Sequence, residues 1–148
     1  MPHFGLMDEK SLGPVEGPLM RARLHIRGGK RRLRQGKIAS AIATLYDALE
    51  GAMQSWLADP DRRRRVAFGP GEDPDDAKTA YDALVRSGVL DGAFDFPAFQ
   101  GLLESALEEE MPQRDYEALV RELESVMAQL GVMPFDEASL PPEDPNTF

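Results

Sequence analysis

The strongest constraint on this chain is the spacing of its apolar residues between Ile38 and Leu57. Ile38, Ala41, Ile42, Leu45, Ala48, Leu49, Ala52, Met53, Trp56 and Leu57 recur three and four apart without a miss. A turn of 3.6 residues gathers such a set onto one helix face, whereas a strand would split it between two. The spacing predicts a helix from Lys37 to Ala58. Gln35-Gly36-Lys37 precedes it as a turn, so the helix before it must run antiparallel.

That preceding helix is expected over Val15–Arg34, with ordered helix starting at Gly17 because Pro18 is tolerated only near a first turn. Leu19, Ala22, Ile26, Gly29 and Leu33 form its narrow buried stripe. Gly28 and Gly29 weaken a helix unless another packs closely there. "ADPDRRRRVAFGPGEDPDD" then reads as a loop holding one short helical turn. Three further helices are expected. One spans Asp76–Ser87, with Ala77, Tyr81, Leu84 and Val85 inward. The next spans Phe96–Glu110 under an Asp95 cap, with Phe99, Leu102, Leu103, Ala106 and Leu107 inward. The last is opened by Pro112 and runs to Leu130, on a face of Tyr116, Leu119, Val120, Leu123, Val126, Met127 and Leu130. No stretch alternates with period two. The expectation is an all-α bundle of about five helices, with residues 1–14 loose, 15–132 one helical domain, and 133–148 an extended, acidic, proline-rich tail.

Composition narrows the function classes. The chain has no cysteine, which removes disulfides, thiolate metal sites and cysteine nucleophiles and suits a reducing cytoplasm. The start carries no secretory signal pattern, and no apolar run approaches the roughly 20 residues of a membrane span. Aromatic residues are only 7%, so the core is expected to rest on Leu, Ala, Val and Met. The net charge of −9 is unevenly spread: residues 21–65 hold twelve basic and four acidic residues, and residues 66–148 hold four basic and nineteen acidic. Such asymmetry implies either pairing between the halves or two faces with different partners.

Residues 22–53 resemble a single tetratricopeptide repeat. The small residue midway along the first helix is Gly29, the turn glycine is Gly36, and the small residue at the helix crossing is Ala41. Leu45 or Tyr46 stands at the large position, and Ala48-Leu49 closes the unit. Departures are His25, Gly28, Arg32 and Met53, where the repeat has Trp, Leu, an aromatic and Pro. The resemblance implies a protein-interaction role with no catalysis and no cofactor.

Arg23, Arg27, Lys30, Arg31 and Arg34 share a helix face beside the buried stripe, a basic patch suited to phosphates or to the chain's own acidic half. Arg62 to Arg65 add a second cluster in the loop. Asp91 and Asp95 echo a calcium loop, but Ala98 stands where the bidentate glutamate belongs, so capping is the expected role. "EDPDD" at 72–76 likewise suits a helix N-terminus better than a metal. Arg21 and His25 invite comparison with helical ribonucleases of the HEPN type, yet the spacing is too short and the motif's partners are absent. The tail could serve as a linear ligand through Phe135, Leu140 and Phe148, or lie back on the basic stripe. The function expected is a small cytoplasmic helical module that binds another protein or a second copy of itself, with no catalytic or metal site. Nucleic acid bound by the arginine face is the alternative.

Overall fold

The structure is a computed structural model that describes residues 9–143 and 145–147. Phe148 lies outside the described residues. Among those described there are six α-helices and no strand: α1 Gly13–Arg34, α2 Ile38–Ala58, α3 Pro60–Arg63, α4 Ala77–Arg86, α5 Phe96–Leu107 and α6 Tyr116–Gln129. The protein is an all-α helical bundle. Among the described residues no helix is long and apolar enough to cross a membrane.

The hairpin of α1 and α2 is its spine. Gly36 adopts φ +77° in the connecting turn, a conformation that costs glycine nothing. The helices then run antiparallel, with Gly29 against Leu45 near the turn and Gly51 against Pro18 at the far end. A Cβ on Gly29 would stand 2.6 Å from Leu45 Cγ and Cδ2, so the approach needs glycine there. Ala41, Leu45, Ala48 and Leu49 are fully buried along the same seam.

Helix α1 begins earlier than its prolines suggest. It starts at Gly13, after a 3-10 turn at Glu9–Leu12, and Pro18 lies inside it. Pro18 has no N–H to give its first turn. The bond it cannot make is the one to the Pro14 carbonyl, and α1 is instead held at its start from α2, where Ser55 Oγ donates to the neighbouring Val15 carbonyl at 2.7 Å.

Helix α2 touches all five other α-helices and carries the centre of the core. Aromatic residues contribute more to that core than their number suggests. Tyr46, Tyr81, Phe94, Phe96 and Phe99 form one cluster joining α2, α4 and α5, with Tyr81 stacked on Phe96 at 5.0 Å. Two element ends depart from the periodic reading. Helix α5 stops at Leu107, where Glu109 turns left-handed with φ 57°. Leu107 is therefore 79% exposed, although its spacing places it on the inner face. Pro112 does not open the last helix. Asp115 does, by accepting from the Ala118 N–H, and α6 starts at Tyr116.

After α6, Leu130 and Val132 are buried, and the chain turns back along the bundle through a cis Met133–Pro134 bond. Short 3-10 turns at Glu137–Ser139 and Pro145–Thr147 interrupt this return segment.

Candidate functional site

Basic residues at 23, 27, 30, 31 and 34 gather on one side of α1 because their spacing of four, three and four matches the helical turn. They lie along an edge of the hairpin that α6 meets only at Lys30 and Arg34. What meets them is the return segment, here termed the strap.

Arg23 Nε donates to the Val132 carbonyl at 3.2 Å, and its guanidinium lies 5.6 Å from the centre of the Phe135 ring. Arg27 Nη2 donates to the Pro141 carbonyl at 2.7 Å. Lys30 Nζ stands 3.4 Å from Glu124 of α6 and 3.8 Å from Glu137 of the strap. Arg31 Nε pairs with Glu143 at 3.0 Å and reaches Gln35 through Nη1. The strap thus crosses over α1. It passes Lys30 on the α6 side and reaches Glu143 on the α2 side, where Gly28 leaves room between that carboxylate and Thr44. Arg27 and Arg23 hold main-chain carbonyls, while Lys30 and Arg31 hold carboxylates.

The Arg31–Glu143 pair is shielded, at 11% and 21% side-chain exposure. It is less screened by water and salt than an ordinary surface pair. Neighbouring Arg32 donates to Thr44 Oγ1, and burial lowers its pKa from the usual arginine value, with a further push from Arg31.

Arg34 differs from the other four. It is exposed, has no ion-pair partner among the described residues, and stands at the rim of a cavity of about 540 Å³ between the α1–α2 turn and the start of α6. Leu33, Ile38, Tyr116 and Val120 also line that cavity.

The second basic cluster is arranged differently. The guanidiniums of Arg62 and Arg65 lie 5.9 and 5.6 Å from the centre of the Trp56 ring, and that of Arg63 lies 4.5 Å from Phe68. Arg62 also lies 3.8 Å from Asp59, and Arg64 pairs with Asp61. Trp56 is 5% exposed, so its ring faces are covered and cannot stack a base.

A polar network ties the two long helices together. Asp47 of α2 lies 2.5 Å from His25 Nδ1 and 3.5 Å from Arg21 Nε, and Arg21 Nη2 donates to Gln54 at 2.6 Å. Asp47 is the partner that spacing along α1 alone could not supply. Beside it, Glu50 is half-buried, and its carboxyl is pushed above the usual range, first by burial and then by Asp47.

The acidic loops serve helix ends and turns. Asp95 caps α5 and Asp76 caps α4. Asp91 accepts from the Ala93 N–H. Among the described residues no three His, Asp or Glu side chains converge as a metal would require.

Sequence reasoning singled out the cations of the α1 face but not their partners. Glu124, Glu137, Glu143 and the carbonyls of Val132 and Pro141 come from more than 90 residues away. Their signals were the charge asymmetry between the halves and the acidic tail, for which lying back on the basic stripe was one of the alternatives. No family model, curated protein or solved structure matches this chain.

Proposed function

We propose that this chain is a helical protein-interaction module that binds an acidic, irregular segment of a partner on the basic face of α1. The observation that carries the reading is the strap itself. Two arginines grip its carbonyls, and a lysine and an arginine grip its carboxylates. Main-chain contacts hold a segment of any sequence, and the charged contacts select an acidic one. The strap then acts as the ligand in cis, and a partner segment competes with it. The repeat-like hairpin suits this role, since its close packing at Gly29 and Gly51 offers a stiff face.

The test is a fluorescein-labelled peptide of residues 132–143 added to full-length protein. Wild type should bind it weakly, because the strap is already in place. Glu137→Lys/Glu143→Lys should loosen the strap and tighten peptide binding at least about tenfold, a 1.4 kcal/mol difference. Adding Arg27→Gln/Arg31→Gln should abolish the gain. If the loosened variant binds no better than wild type, the proposal fails. The alternative, nucleic acid on the same face, would show as an oligonucleotide displacing the peptide with steep salt dependence.

A further inference from the structure

The basic face does not end where the strap ends. Arg34 continues it to the cavity of about 540 Å³, a volume within the usual range for ligand sites. Two kinds of surface meet there. Leu33 at the end of α1, Ile38 at the start of α2 and Val120 of α6 make an apolar wall, which the Tyr116 ring extends. The Tyr116 hydroxyl donates to the Pro112 carbonyl at 2.5 Å, so the ring meets the cavity as an apolar surface. At the rim stand Arg34 and Arg114, one from each side, both exposed and neither with an ion-pair partner among the described residues. Lys30 marks the edge shared with the strap, through Glu137.

We infer that this cavity receives the anchor residue of the bound segment: one large apolar side chain with a carboxylate next to it in sequence. The inference rests on the interaction reading above and names what the partner must carry. The wall removes an apolar side chain from water, and a guanidinium fork matches a carboxylate better than a point charge does. Asp115 and Glu117 also line the cavity. With Lys30 already paired to Glu124 and Glu137, this leaves no strong positive field, which disfavours a doubly charged phosphate and leaves carboxylate recognition to the two guanidinium forks. Asp115 already accepts the Ala118 N–H as the cap of α6. The site is continuous with the strap contacts but does not require the strap to leave.

The probe is the peptide acetyl-Asp-Phe-Asp-Glu-amide, titrated into full-length wild-type protein and followed by amide and methyl NMR. Saturable shifts at Leu33, Ile38 and Val120 are expected. Replacing the peptide's Phe by Ala, or its acids by their amides, should weaken binding at least tenfold. Arg34→Gln/Arg114→Gln in the protein should do the same, and its unchanged core methyl spectrum would show that the fold is intact. Equal binding of the Phe and Ala peptides would overturn the anchor while leaving the strap-face reading intact. So would indifference to the two arginine substitutions, or no saturable shift at these residues. Saturation of the same resonances by decanoate at lower concentration than by the peptide would overturn the peptide assignment in favour of a lipid carboxylate.

Discussion

Two glycine-to-alanine substitutions should move stability in opposite directions, and the structure explains why. Both Gly51 and Gly101 lie inside α-helices, where alanine is favoured over glycine by about 0.8–1.0 kcal/mol. At Gly101 on α5 an added Cβ meets nothing within 4 Å. Gly101→Ala should therefore stabilise by up to about 1 kcal/mol. At Gly51 on α2 the same atom would stand 2.9 Å from the Pro18 carbonyl oxygen, 3.1 Å from Arg21 Nε and 3.4 Å from the Ala22 nitrogen. The nearest obstacle is backbone and cannot rotate away. Overpacking of this kind costs about 1–3 kcal/mol, which offsets the propensity gain and leaves a net loss of up to about 2 kcal/mol. For a chain of this length that is a fall in Tm of up to about 8 °C, against a rise of up to about 4 °C for Gly101→Ala. Thermal and urea unfolding followed by circular dichroism read both. A Gly51→Ala protein stabilised as much as Gly101→Ala would mean that α1 and α2 do not approach as closely as described.

Three further outcomes follow from the same contacts. Glu143→Gln leaves the shielded Arg31 without its carboxylate, so the strap should open more often, and the amides of Ala138, Ser139 and Leu140 should exchange faster by hydrogen–deuterium exchange; unchanged rates would refute the clasp. Glu50 has a raised carboxyl pKa, so the native state holds its proton more tightly than the unfolded chain does; the resulting penalty is absent below the unfolded pKa and grows as pH rises through the folded one. Glu50→Gln should therefore raise Tm at pH 7 and leave it unchanged at pH 3, and an equal gain at both would refute the burial argument. Leu107→Ala should stay within about 0.5 kcal/mol of wild type, because the side chain is already in water, whereas Leu123→Ala, fully buried, should cost about 2–5 kcal/mol by chemical denaturation.

The helices were legible because each rests on local rules. The face of α2 needs only the three-and-four spacing, the Gly36 turn needs only a residue tolerant of positive φ, and the caps of α4 and α5 need only an Asp before an apolar run. Ends were less legible where long-range contact decides them. Periodicity carries α5 past Leu107, but the bundle stops covering it there. Pro18 argues for a later start to α1, but Ser55 of α2 satisfies a carbonyl of its first turns.

For the candidate site, the sequence by itself determined which residues share the basic face of α1, because a helix maps spacing onto direction. It also determined that the opposite charge lies in the other half of the chain. Only the tertiary structure decided which cations meet which partners. It set Arg31 against Glu143, Arg27 on the Pro141 carbonyl, Asp47 between Arg21 and His25, and Arg34 beside Arg114 at an apolar wall. The physical reason is range. Helix periodicity couples residues three and four apart, whereas ion pairs and cavities join residues that only the folded path of the chain brings within a few ångströms.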